Sequence, residues 1–385
     1  MSIFSGHSGH SGHSGHSGHS GHSGHSGHSG HSGHSGHSGH GGHDVHSPLL
    51  VDTLITSRDG IVGYWQAPGT TPTPLKAERP DNLELWGPRE RASLFHVELL
   101  SRIGFSADLT EGRESVAVKH LEPANGGLES RPLTTVVRPP KETFKAQLDY
   151  LNQYADLRPD RAAEILAQLD HPTPFLASIS FLHPERTRWT LELLYAAIEL
   201  AFYVVMRVKH GLACRRPHEY SPQVQPIIPA PLHGTFPSGH ATEANIAAFV
   251  LCKVISDGRR NDEIYADPSW CNQLMAQAAR IAINRTVAGL HFPVDSAAGA
   301  VLGLTLGKYF VSRCKEGDSY QPWTFDGSRY PPDRDFYRED YFDPKTGNQT
   351  VGQYVTSAVK QHDPVAASHS AILEWMWNKA KDEWQ

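Results

Sequence analysis

Cysteine is scarce: four residues in a chain of 385, Cys214, Cys252, Cys271 and Cys314. None forms a close-spaced metal pair and the set is no dense disulfide framework, so reduced, buried thiols are expected. A basic excess is missing too. Thirty-five Lys and Arg face 41 Asp and Glu, a net charge of −6, which argues against a nucleic-acid binder. Long apolar runs are also missing. The stretch LELLYAAIELAFYVVMRVK (191–209) carries Glu192, Glu199 and Arg207, and SAAGAVLGLTLGKYFV (296–311) is short and broken by Lys308. Neither reaches the roughly 20 apolar residues of a membrane span; both read as central helices of a soluble bundle, apolar nearly all round. The start, MSIFSGHSGH, has no basic n-region and no apolar h-region, so a cytoplasmic protein is expected.

Histidine is plentiful, and half of it is repetitive. Of 25 histidines, twelve fall in the Ser-Gly-His repeats of residues 5–40. Such a tract has nothing to bury against the entropy of ordering, so residues 1–47 are expected to form a disordered tail. Its imidazoles can chelate Zn, Ni or Cu; a solvated linker is the plainer reading.

About 340 residues remain, enough for a substantial core. Residues 48–140 are rich in Pro, Gly and charge, predicting loops, a short helix near 92–103 and a small hairpin packed on the core. Residues 141–315 turn helical. KETFKAQLDYLNQYADL and RPDRAAEILAQLDHP each predict a helix. A long helix to about 213, a Pro-rich loop (217–237) and helices over about 240–257, 270–289 and from Pro293 follow. Residues 316–385 form an irregular arm, with the run YPPDRDFYREDYFD, and a last helix at about 365–383. The class is mainly α, a helical bundle.

Three short motifs stand in the helical region. In KHGLACRRP, Lys209 and Arg216 are seven apart, two helical turns, so both cations could leave one face. In LHGTFPSGHATEAN, Ser238, Gly239 and His240 precede an apolar helix, where free N–H groups favour an anion. In NRTVAGLHFPVD, Arg285 sits near a helix end, His291 in the turn and Asp295 in the next helix's first turn. Singly, these are ordinary residues: solvated cations, a hydrogen-bonded histidine, an acid suited to a helix start. Together, three cations, a hydroxyl, a glycine N–H and two imidazoles make a site for a compact oxyanion.

The ordered set resembles the signature shared by vanadium-dependent haloperoxidases and type 2 phosphatidic acid phosphatases. Both internal spacings are kept; Asn284 stands where the pattern has Ser. The resemblance covers about 209–295 and implies a bundle with an oxyanion pocket among its central helices. It implies that Lys209, Arg216 and Arg285 neutralise equatorial oxygens of vanadate, with Ser238 and the Gly239 N–H donating. It makes His291 the axial vanadium ligand, oriented by Asp295, and His240 the acid–base group. His233, four residues before Pro237, resembles the histidine of bromide-type enzymes, although a loop histidine could equally serve backbone groups. The favoured expectation is a haloperoxidase using vanadate, hydrogen peroxide, bromide or iodide and a small organic acceptor. A soluble phosphatase acting through a phosphohistidine at His291, and a non-catalytic oxyanion or metal-binding module, stand as alternatives. By analogy the chain is expected to be a homo-oligomer. For the acidic-aromatic run near 330–343 the expectation is a surface loop pinned by its aromatics, against a subunit arm or a calcium site, whose spacing fits no EF-hand.

Overall fold

The computed structural model describes residues 48–124, 126–258, 264–346, 348–357, 365–366 and 368–385; the Ser-Gly-His tail lies outside them. The chain divides into two units at Arg91/Ala92. In the smaller, helix α1 (Pro48–Ile61) buries no side chain, and a short 3-10 turn follows at Pro80–Leu85. The Arg91 guanidinium closes this turn by donating to the carbonyls of Leu83 and Trp86. Helix α2 (Pro88–Leu100) starts here, earlier than the 92–103 predicted, because Pro88 fits a first helical turn.

The larger unit is mostly helical. A β-meander opens it: β1 (Ile103–Asp108), β2 (Ser115–Ala124) and β3 (Gly127–Val137), all antiparallel. Val116, Val118 and His120 of β2 alternate inward, as a half-buried strand requires. Short helices follow: α3 (Lys141–Ala146), α4 (Leu148–Tyr154), α5 (Arg158–Ala167) and α6 (Thr173–Ser180). The single helix predicted over KETFKAQLDYLNQYADL is thus divided. It breaks at Gln147, which is fully buried and spends its amide on Val294 N–H (3.0 Å) and the Arg334 carbonyl (3.2 Å).

The bundle itself comprises α7 (Arg188–Leu212), a short α8 (Pro217–Tyr220), α9 (Gly239–Gly258), α10 (Ser269–Val287) and α11 (Pro293–Cys314). Helix α9 is its axis, packing on α7, α10 and α11. Its contact with α11 is set by backbone. A Cβ at Gly299 would lie 2.5 Å from the Ser238 carbonyl oxygen, one at Gly303 2.4 Å from that of Thr242, and one at Gly307 2.8 Å from the Phe249 ring. Cys252 of α9 and Cys271 of α10 form a disulfide, correcting the expectation of four reduced thiols. The packed helices bring their Cα atoms to 5.2 Å, within disulfide reach. Cys214 and Cys314 are free and buried.

Beyond the bundle lie β4 (Ser319–Tyr320), β5 (Trp323–Asp326), β6 (Phe342–Asp343), β7 (Asn348–Gln349), β8 (Val355–Ser357), β9 (Val365–Ala366) and α12 (Ala371–Asp382). Strand β5 pairs in parallel with β3, Thr134 opposite Trp323, and β8 adds to β5. The sheet order is β1-β2-β3-β5-β8, so residues 316–385 are less irregular than expected and share a sheet with the region before 140. The acidic-aromatic run folds back on its own chain: Tyr154 donates to Asp335 (2.6 Å), Tyr354 to Asp340 (2.6 Å), and Arg334 pairs with Asp340.

Candidate active site

Each of the three motifs is held at a helix end. Lys209 lies in the last turn of α7, which closes on Ala213 in the left-handed region (φ 47°). The chain then runs extended through Arg216 (ψ 159°) into α8. A shared helical face is therefore not what brings Lys209 and Arg216 together, contrary to the seven-residue argument; the reversal at Ala213 does. Both side chains are buried and grip the loop at 233–235. Lys209 Nζ donates to the carbonyls of Gly234 (3.1 Å) and Thr235 (2.8 Å). Arg216 donates through Nε to His233 O (2.9 Å) and through Nη1 to Leu290 O (3.1 Å), with Nη2 3.3 Å from His233 Nδ1.

Ser238 precedes α9 and its N–H donates to Asp295 O (2.9 Å), tying this helix start to that of α11. In the first turn, His240 Nε2 lies 3.1 Å from the Gln168 carbonyl. A carbonyl only accepts, so Nε2 carries the proton and Nδ1 keeps its lone pair. At the third motif, α10 ends at Val287 and Gly289 takes φ 81°, the left-handed closure that glycine permits. A side chain there would meet the Pro226 backbone at 3.2 Å. This closure delivers His291, whose Nδ1 lies 3.0 Å from Asp295 Oδ2. The same oxygen accepts from Phe292 N–H (2.9 Å) and from the Thr235 hydroxyl, which is also 3.1 Å from His291 Nδ1. Asp295 is thus both cap of α11 and orienter of His291.

Arg285 is fully buried. Its Nη2 donates to Gln168 Oε1 (2.9 Å) and Ile165 O (3.3 Å), while Nε and Nη1 have no partner among the described residues. Asn284, the departure from the motif, joins this network: it donates to Gln168 Oε1 (3.0 Å) and accepts from Arg161 (3.0 Å).

Lys209, Arg216, His233, Gly239, His240 and His291 line one cavity. It is tight, leaving about 20 Å³ for the centre of a water-sized sphere, enough for one water. Ser238, Arg285 and Asp295 are buried outside the lining.

Residues 189–316 match the PAP2 superfamily. They form a PAP2 superfamily domain. No curated protein matches the chain. Among solved structures, a transmembrane PAP2-type phosphatidylglycerolphosphate phosphatase from Bacillus subtilis aligns at 16% identity over 46% of this chain and 98% of its own, with a TM-score of 0.27. That likeness is too slight to inform the fold. No helix among the described residues is long and apolar enough to cross a membrane.

Within the PAP2 domain, burial controls the charges. It depresses Lys209 to about 7, with the Arg216 charge adding to the effect, and holds Arg216 and Arg285 near about 10. Both arginines stay cationic at neutral pH. Burial and the neighbouring cations push His233 down to about 4 and hold His240 and His291 well below the usual histidine range. All three imidazoles are therefore neutral and offer lone pairs. Burial lifts Asp295 to about 6, opposed by the Thr235 and Phe292 hydrogen bonds.

Three participants escaped the sequence reading. Gln168 lies outside the PAP2 domain, yet its carbonyl meets His240 and its amide oxygen meets Arg285. Thr235 holds Asp295. Glu243, one turn after His240, lines the cavity and lies over Gly239, its Oε1 3.6 Å from where a Cβ would stand. Only Glu243 gave a signal, the one charge in the first three turns of α9 and one turn from a motif histidine.

Proposed function

We propose that the chain is a vanadate-dependent haloperoxidase, oxidising bromide or iodide with hydrogen peroxide to a hypohalous-acid-type agent. The observation that carries this reading is a cavity of water-molecule dimensions where two cations and neutral imidazoles converge. So tight a space favours a compact inorganic oxyanion over a bulky organic phosphate.

The residues fit vanadate. With Nδ1 committed to Asp295 and Thr235, His291 keeps the Nε2 lone pair and would hold the vanadium through it. Two Arg285 N–H groups, buried and unpartnered, are donors that an oxyanion would satisfy. Lys209, Arg216, Ser238 and Gly239 would complete the cradle. When bound, vanadate would supply the Lewis acid that activates hydrogen peroxide toward halide. The protein's own part is protonic and electrostatic. His240, anchored to Gln168 through Nε2–H, takes the proton of incoming peroxide at Nδ1. Lys209 places positive charge where negative charge accumulates, and an anion beside it raises its depressed pKa so that it binds protonated. His233 lines the same cavity and would meet a halide there.

The His291–Asp295 pair favours a second reading, phosphoryl transfer. There Nε2 attacks phosphorus and the P–O bond to the alcohol breaks; the phosphate charge beside His240 raises its depressed pKa, so that it takes up a proton at Nδ1 on binding and gives it to the leaving oxygen.

Bromination of a chromogenic β-diketone, with peroxide and bromide, before and after adding orthovanadate to metal-stripped protein, decides between them. Activity that requires vanadate is expected. Absence of bromination while vanadium NMR shows vanadate bound would overturn the haloperoxidase reading and leave the phosphohistidine route.

A further inference from the structure

A second and larger cavity opens about 20 Å along α9 from His240, taking the helix rise from position 240 to 253. It offers about 310 Å³ to the centre of a water-sized sphere, far more than the tight site above. Three lysines face it: Lys253 from α9, Lys308 from α11, and Lys315 just beyond α11. Phe249, Val311 and Tyr320 supply an apolar wall.

The charges there do not balance. Lys315 is neutralised by Asp257 at 2.8 Å, and Asp257 also accepts from Trp377 Nε1 (3.2 Å). Asp318 is turned to the Ser319 N–H (2.8 Å). Lys253 and Lys308 have no hydrogen bond or ion pair among the described residues. Lys253 lies 5.5 Å from the Phe249 ring and Lys308 5.8 Å from the Trp323 ring. A lysine in mid-helix with its stem on an aromatic ring ordinarily sends its head to water. Here two such heads share one recess, and a recess with walls can hold what neutralises them.

We propose that this cavity is a binding site for a small organic anion, a carboxylate or phosphate group held between Lys253 and Lys308 and an apolar body laid against Phe249 and Tyr320. Burial, with the Lys253 charge adding, already drives the Lys308 ammonium down to about 8, a repulsion that an anion relieves. Ser256, Ser319 and Gln321 in the lining provide neutral hydrogen-bonding groups for the remaining anionic oxygens. The volume admits a single-ring acid, which the tight site does not. The site is independent of the reaction assigned to the PAP2 domain.

Titration calorimetry with benzoate and with phenylphosphonate, on the full chain, tests the proposal and separates the carboxylate source from the phosphate source. Binding by at least one probe is expected. Lys308→Met and the more exposed Lys253→Met should each weaken it roughly tenfold, the loss of one charge-assisted contact. Arg285→Met should leave it unchanged. No binding of either probe, or a loss in Arg285→Met as large as in Lys308→Met, would overturn the proposal. Lys253→Met keeps the test decisive should Lys308→Met fail to fold.

Discussion

Helix α9 serves two groups of cations, and they are arranged on opposite principles. At its start, Lys209 and Arg216 are locked on backbone carbonyls of the 233–235 loop and of Leu290 around a space barely larger than a water. Toward its other end, Lys253 and Lys308 stand on flexible stems in a roomy recess. The first arrangement fixes charge before any anion arrives, which is what stabilising a developing charge requires. The second leaves the charges free to settle on whatever enters, which suits binding rather than reaction. Charge count alone does not separate the two; the partners of each N–H do.

The largest effect should come from breaking the fixed site at its reactive groups. His240→Ala is expected to lower turnover by about 10²–10⁴ while anion affinity, followed by vanadate or phosphate titration, stays within several-fold. Equal loss of both would mean that His240 binds rather than transfers protons. Next is the support behind His291. Thr235→Val removes the hydroxyl shared by Asp295 and His291 and should cost about 10–100-fold in vanadate affinity. A smaller effect is expected on stability: Gln168→Leu strands donors of Arg285 and Asn284 and should cost about 1–3 kcal/mol in denaturant unfolding.

The fixed site should also announce itself in pH dependence. Lys209 titrates near about 7 when folded, against 10.5 as its ordinary value. Between those values the unfolded chain holds a proton that the folded chain lacks, so stability should rise with pH across this window. Lys209→Met should flatten that slope, and added vanadate should reduce it by restoring the proton. Smallest of all, Ala213→Gly relieves a left-handed alanine and should stabilise by about 0.5 kcal/mol in thermal unfolding, the strain relieved less the added glycine entropy.

The sequence and the fold agree best where the determinants are local. Gly289 and Pro293 mark the turn between α10 and α11, so the positions of His291 and Asp295 were readable; that of Arg216 was not, because its spacing from Lys209 suggested a continuous helix where the chain reverses at Ala213. The sheet was not. Thr134 pairs with Trp323, and β5 is only four residues long, so no nearby periodicity marks it. Gln168 and Thr235 are ordinary polar residues until the fold sets them against His240, Arg285 and Asp295. The Cys252–Cys271 bond is likewise a product of helix packing, invisible in a spacing of 19.

The glycine stripe of α11 has a consequence for how this protein can vary. Where two helices meet through side chains, a neighbouring rotamer can absorb an enlarged residue. At Gly299 and Gly303 the nearest opposing atoms are the carbonyl oxygens of Ser238, just before α9, and of Thr242 within it, so an added methyl has nothing to displace except the helix that carries His240. In a saturation scan scored on turnover, these two positions should tolerate almost nothing, with sensitivity falling toward Gly307, where a phenyl ring can yield. A map of intolerance drawn from such a scan would trace the spine of the reaction centre before it traced the reaction centre itself.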